Sequence, residues 1–257
     1  MANYSTVVSL FNHKGGVGKT TTTLNLGKAL HLLGHSVLLI DLDPQGNLTQ
    51  SLGFEELERS ILPYLDSDKS EDLPLIKIEE NFNLIPSSLE LETAVYSLVG
   101  KPDGQFKVRG IIESVDGFYD FILIDCPPSL GILSVNALTA SDEIIIVVDA
   151  EKFSINNLSN VIHTIESVQK RLNRELKGYR LLINKMSNRV IKREINRVVR
   201  ENFGKLVFQT EIHDRIAVVE ASGQSIDVLT HDPESASAKE YLTLAQEFLK
   251  NYGKKIV

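Results

Sequence analysis

Lys14-Gly15-Gly16-Val17-Gly18-Lys19-Thr20-Thr21 follows directly on the apolar run Val7, Val8, Leu10 and Phe11. The glycines at 15, 16 and 18 allow a backbone that turns its N–H groups inward through conformations that side chains would obstruct. Such a loop is an anion receptor, and the amphipathic helix that starts behind it aims the positive end of its dipole at the same anion. Lys19 adds a point charge for the β and γ phosphates and Thr20 a hydroxyl for Mg²⁺, so three devices converge on one triphosphate. In the general pattern G-x-x-x-x-G-K-[ST] the first glycine falls in the stretch held here by Asn12, His13 and Lys14. The loop is therefore deviant, with a second lysine at its start.

A chain of 257 residues with 42% hydrophobic and 24% charged residues is ordinary for a globular protein, and one large α/β domain over residues 1–257 is the expected organisation. Every apolar run falls short of the ~20 residues that span a bilayer, and nothing marks a signal peptide. Cys126 is the single cysteine. It excludes an intrachain disulfide and a cysteine-held metal cluster within one subunit, and it suits a reducing, cytoplasmic location.

Short β-branched runs alternate with long amphipathic stretches, which predicts strands near 6–11, 36–41, 82–86, 119–125, 143–148, 179–184 and 206–212. Continuous apolar runs such as Ile144-Ile145-Ile146-Val147-Val148 need burial on both faces. The expected fold is α/β: a doubly wound, mostly parallel sheet flanked by helices. Residues 66–74 read as a surface loop.

Ligands of open parallel sheets bind outside the carboxyl ends of the strands, and two acidic segments stand there. Asp41-Leu42-Asp43-Pro44-Gln45-Gly46-Asn47 ends the second strand, and Asp125-Cys126-Pro127-Pro128-Ser129 ends the run Phe121–Ile124. Asp125 is placed to hold a Mg²⁺-bound water or the Thr20 hydroxyl. Hydrolysis needs an oriented water as well as charge compensation, and Asp43 is the candidate for orienting it. The prolines and Gly46 make both segments candidate switch loops.

Together these three motifs resemble the ParA/Soj branch of the deviant Walker ATPases, relatives of MinD, and the resemblance runs on to the C-terminal helix. It implies an ATP- and Mg²⁺-dependent sandwich dimer in which Lys14 reaches the partner's phosphates. Lys14, Lys19 and Asp43 are then the catalytic set. Residues Gly15, Gly16, Val17, Gly18, Lys19, Thr20 and Thr21 bind the phosphates, and Thr20, Asp41, Asp43 and Asp125 serve the metal. Asn184 stands where the family places an adenine-contacting asparagine, and Asp214 is a second candidate for the base pocket. Many relatives have proline at the place of His213.

Residues 170–200 hold eleven Lys or Arg against two acids, a local +9 on a chain of net charge −7. On the predicted helix 190–203, Ile191, Ile195, Val198 and Val199 share one face, while Arg193, Arg197 and Arg200 lie opposite, with Arg189 just ahead. A cationic island on an acidic protein suits non-specific DNA binding through phosphates, which the family carries out from this region. Arg189, Lys192, Arg193, Arg197, Arg200 and Arg215 are the candidate contacts.

The first strand begins by about residue 6, so the helix-turn-helix extension of longer plasmid partition proteins is not expected. A helix over 234–252 carries an apolar stripe of Ala238, Tyr241, Leu242, Ala245, Phe248, Leu249 and Tyr252. That stripe reads as core; the competing reading is a MinD-like membrane helix, against which Glu234, Glu240 and Glu247 count. The expectation is a cytoplasmic, nucleoid-associated partition ATPase, homodimeric with ATP, whose hydrolysis a ParB-like or adaptor protein stimulates. Its cargo is a plasmid, a chromosome or a protein compartment. No membrane partner is expected.

Overall fold

Runs that are apolar on both sides become strands covered on both sides. The computed structural model describes residues 4–55, 57–66, 72–151 and 154–251. Its strands are β1 (Thr6–Phe11), β2 (Val37–Asp41), β3 (Ile76–Glu79), β4 (Phe82–Ile85), β5 (Phe121–Asp125), β6 (Glu143–Asp149) and β7 (Tyr179–Asn184). Every residue of β1, β2, β5 and β6 is buried, as helices on both faces of a parallel sheet require. The order is β3-β4-β2-β5-β1-β6-β7, with all neighbours parallel except β3 and β4.

The helices of the first half are α1 (Lys19–Leu32), α2 (Asn47–Gln50), α3 (Leu62–Asp66), α4 (Leu91–Val99) and α5 (Lys107–Glu113). Those of the second half are α6 (Ile132–Ala140), α7 (Ile155–Arg171), α8 (Val190–Phe203), α9 (Ile216–Gly223), α10 (Val228–His231) and α11 (Ala236–Asn251). One face of the sheet packs Leu26 and Leu30 of α1 with Tyr241 and Phe248 of α11. The other buries Leu98, Val108, Leu133 and Val161 from α4, α5, α6 and α7.

The doubly wound, mostly parallel sheet is the expected one, with two differences. Residues 206–212 do not form a strand. Phe208 and Ile212 donate their N–H groups to Leu181 and Ile183 of β7, but between them the Glu247 carboxylate takes the N–H groups of Gln209 and Thr210, at 2.7 and 2.8 Å. Arg200 meanwhile donates to the carbonyls of Phe208 and Gln209. Side chains satisfy the backbone that a ladder would have used. The unanticipated β3 is an antiparallel edge strand whose residues alternate between half-buried and exposed, too short and too polar to register as an apolar run.

From β1 the chain crosses to β2 on one side, and from β5 it crosses to β6 on the other. The order therefore reverses at β1, and the crevice at the carboxyl ends of β1, β2 and β5 is the topological switch point. The apolar stripe of α11 is buried against α1 and the sheet, so it is core and not a free membrane face; Tyr252 and residues 253–257 lie outside the described residues, as do 67–71 of the expected surface loop. Among the described residues no helix is long and apolar enough to cross a membrane.

Phe248 is 1% exposed and meets Phe121 edge-on at 5.4 Å between ring centroids. Phe248→Ala leaves a cavity between α11 and β5 and is expected to cost about 3–5 kcal/mol, read as a lower urea midpoint. An unchanged midpoint would show that α11 does not close this face of the core.

Candidate functional site

The phosphate loop bends where glycine is needed. Gly16 and Gly18 have φ of 72° and 95°, in the left-handed region. A Cβ on Gly18 would lie 2.2 Å from Asn184 Nδ2, so the position has neither the torsion nor the space for a side chain. Gly15 differs from expectation, since a Cβ there would meet only Pro128, at an ordinary 3.9 Å. The loop's carbonyls are held from β7: Asn184 donates to Val17 O at 2.8 Å and Lys185 Nζ to Gly16 O at 2.7 Å. Behind the loop α1 starts at Lys19, and no side chain among the described residues caps it. Its first-turn N–H groups are left for an anion.

Inside the loop Lys19 is buried, its ammonium 3.5 Å from Lys14 O. Thr20 donates its hydroxyl to Asp125 Oδ2 at 2.6 Å, while Asp125 Oδ1 is buried with no hydrogen-bond partner among the described residues. Asp41 faces Asp125 across the β2–β5 register. Its carboxylate is turned to its own chain, accepting from Thr49 N–H and hydroxyl at 2.9 and 2.8 Å and from Asp43 N–H at 3.1 Å. It braces the loop that presents Asp43. That loop is fixed again by Gln45 N–H on Asp43 Oδ1 and by the Ser87 hydroxyl on Asp43 O.

These acids stand in a desolvated cluster. Burial pushes Asp41 up from 3.8 to about 6; burial and then the neighbouring Asp41 charge push Asp125 well above the ordinary value. Burial also raises Asp43, against the pull of Gln45 N–H and Lys19. A carboxylate oxygen buried without a partner, beside a threonine hydroxyl, fits a divalent cation. Among the described residues no three His, Cys, Asp or Glu side chains converge on a metal by themselves, as suits Mg²⁺ held mainly by phosphates and water. Burial pushes the Cys126 thiol up to about 12, which leaves it inert.

A cavity of about 460 Å³ opens beside the loop, lined among others by Gly18, Thr21, Asn184, Asp214, Val218 and Tyr241. It brings both expected base-pocket residues to one place. His213 lines it too, and its backbone N–H donates to Glu240 of α11 at 2.9 Å, a bond proline could not make. Lys14 borders a smaller cavity with Asp149, Ser154 and Asn157. The two expected switch segments meet in a third cavity, of about 580 Å³, where Asp43 and Pro44 face Pro127 and Pro128 next to the exposed Tyr96.

The basic helix α8 is rotated from its expected setting. Its buried side centres on Lys192 and Val199, and Ile191, expected to pack, is 58% exposed. Lys192 is therefore not an outward residue: its stem is buried and its ammonium bonds to Lys185 O. Arg200 also turns inward, to Asn196, the 208–209 carbonyls and Glu211. Arg189, Arg193 and Arg197 are exposed, with Arg189 paired to Glu151 and Arg197 to Glu194 and Glu201. Arg215 pairs with Glu240. The sequence reading missed Thr49, Ser87, Glu151 and Lys185; only the eight-residue step from Asp41 to Thr49, across the Gly46 turn, offered a local clue.

A family model described as an AAA domain matches residues 5–178. The sporulation initiation inhibitor protein Soj of Bacillus subtilis is 37% identical over 250 residues, covering 95% of this chain and 98% of its own. The chromosome-partitioning ATPase Soj of Treponema pallidum is 36% identical, with 95% and 97% covered. Among solved structures, the cobyrinic acid a,c-diamide synthase of Mycobacterium smegmatis, seen with ADP and magnesium and with an ATP analogue and magnesium, matches with a TM-score of 0.85 at 29% identity over 98% of each chain.

The raised acids set a pH dependence. Asp41 and Asp125 titrate higher in the folded than in the unfolded chain, so the ligand-free protein gains stability below the ordinary 3.8 and loses it as pH rises through the raised values, about 6 for Asp41. Asp125→Asn is expected to raise the ligand-free Tm by about 4 °C at roughly pH 7.5, a gain that vanishes near pH 4. An Asp125→Asn Tm at or below the wild-type Tm at the higher pH would contradict it.

Proposed function

The chain belongs to the ParA/Soj family of P-loop ATPases, and on that premise we propose that it is a partition ATPase. ATP closes two copies face to face, the closed pair holds DNA non-specifically, and a ParB-like or adaptor partner stimulates hydrolysis and release. The observation that carries the nucleotide part is the buried Oδ1 of Asp125, without a hydrogen-bond partner among the described residues, beside the Thr20 hydroxyl and the start of α1, which no described side chain caps.

Each residue has a part in this reading. The loop from Gly15 to Thr21 wraps the phosphates, and Lys19 neutralises the oxygens on which charge builds. Thr20 and Asp125 hold Mg²⁺, which compensates phosphate charge; Asp41 positions the 43–46 turn rather than coordinating. Asp43 orients the attacking water and accepts its proton, and the raised affinity that burial gives it for a proton suits that work. Asn184 and Asp214 border the base. Lys14, at the edge of the loop, crosses to the partner's phosphates, so triphosphate occupancy and dimerisation become one equilibrium.

The outward set Arg189, Arg193 and Arg197, with Arg215 near the base pocket, gives the DNA face; Lys192 and Arg200 leave it because they point inward. Contacts to phosphates without base reading suit a protein that coats DNA and lets go. The protein is then a cytoplasmic, nucleoid-associated one. Cargo identity rests with the partner, so a plasmid, a chromosome or a protein compartment would use the same residues.

Two measurements test this. Lys14→Gln and Asp43→Ala are each expected to bind MgATP within about threefold of wild type while turnover falls about 10²-fold or more; turnover near the wild-type rate would remove either residue from the mechanism. Replacing Arg189, Arg193 or Arg197 by Ala should weaken ATP-dependent duplex binding and lower the salt slope by about one for each arginine–phosphate pair removed. Wild-type binding that ignores ATP, or a triple variant with an unchanged slope, would contradict the DNA reading.

A further inference from the structure

A lysine in the interior of a basic helix needs a reason, because burying an ammonium is costly unless its charge is met. Lys192 is 2% exposed. Its ammonium donates to the carbonyl of Lys185 at 2.6 Å and lies 3.5 Å from Glu151 Oε2, while Glu151 Oε1 accepts from Arg189 at 3.0 Å. Lys185 has a φ of 54°, a left-handed torsion unusual for a residue other than glycine. Its own ammonium donates to Gly16 O inside the phosphate loop. A continuous polar path thus runs from the loop through Lys185 and Lys192 to Glu151 and the first turn of α8.

We propose that Lys192 is a positioning residue that couples the phosphate loop to the basic face of α8. The inference rests on the ATP and DNA reading above and adds how the two sites communicate. Lys192 holds the Lys185 carbonyl, and with it the left-handed turn that aims the Lys185 ammonium at Gly16. Phosphates that fix the loop's peptide planes fix Gly16 O, and the constraint passes through Lys185 to Lys192. The Glu151 carboxylate is divided between Lys192 and Arg189, so a closer hold by one loosens the other. A nucleotide-driven shift of Lys192 toward Glu151 frees Arg189 for a DNA phosphate. The coupling needs no change in the fold, only two arrangements of one shared carboxylate.

Hydrogen exchange and duplex binding on the full chain test this, with wild type, Lys192→Met and Lys185→Gly, each with and without a non-hydrolysable ATP analogue and magnesium. Lys192→Met keeps the buried stem without the charge. Lys185→Gly keeps the left-handed turn without the ammonium, and it remains informative if the first variant fails to fold. In wild type the analogue is expected to protect residues 14–21 and to change exchange at residues 189–193 by about threefold or more. In Lys192→Met the loop stays protected while the response at 189–193 is lost. Lys185→Gly, which also gives up one hold on the loop, loses that response at analogue concentrations that still protect residues 14–21. In both the ATP dependence of duplex binding shrinks several-fold. With the analogue the salt slope of Lys192→Met should fall by about one, because Arg189 stays on Glu151, and without nucleotide it should equal that of wild type, whereas a residue bound directly to phosphate would lower it in both states. A response at 189–193 that is absent in wild type or kept in both variants, or a Lys192→Met slope lowered equally with and without the analogue, overturns the proposal. A wild-type loop unprotected by the analogue overturns it together with the ATP reading, and is told apart by appearing at residues 14–21.

Discussion

The direction in which the peptide planes of residues 16–18 face governs the rest of the site. Asn184 and Lys185, at the end of β7, take the carbonyls of Val17 and Gly16. With those oxygens tied down on one side, the amides that precede α1 point to the other. A loop of glycines alone would sample many such arrangements; two side chains at the buried end of β7 select one. Gly18 has no room for a Cβ because Asn184 stands where it would go, so the glycine and the asparagine are parts of one device.

The second constraint is electrostatic. Three carboxylates and a buried lysine share the carboxyl ends of β1, β2 and β5, where the order of the sheet reverses. Asp41 is satisfied by its own turn, while Asp125 keeps one oxygen without a partner among the described residues and is expensive to ionise. Folding alone does not relieve that cost; a cation does. Binding of a cation that lowers that cost supplies free energy to move the segments that carry Asp43 and Pro127.

Much of this was legible in the sequence because it is carried by local patterns. The loop 14–21, the acids at strand ends and the two-sided apolar runs each occupy a few consecutive residues, and those fix the parallel sheet and its switch point. What was not legible depends on long-range partners. Glu247 comes from a helix nearly forty residues away to take the N–H groups of Gln209 and Thr210, so an apolar run that looks like a strand is not one. Lys192 looks like surface charge by type and by neighbourhood, and only the arrival of Lys185 O and Glu151 makes its burial possible. A wheel drawn on residue type alone puts Ile191 inside and Lys192 outside, the reverse of the fold.

The central claim is that triphosphate occupancy decides whether two copies close on one another. The most direct measurement is the solution mass of the wild-type chain by light scattering, with magnesium and either ADP or a non-hydrolysable ATP analogue. The account predicts the 28.6 kDa chain mass with ADP and twice that mass with the analogue. The same mass with both nucleotides, under conditions where each is shown to bind, would contradict it.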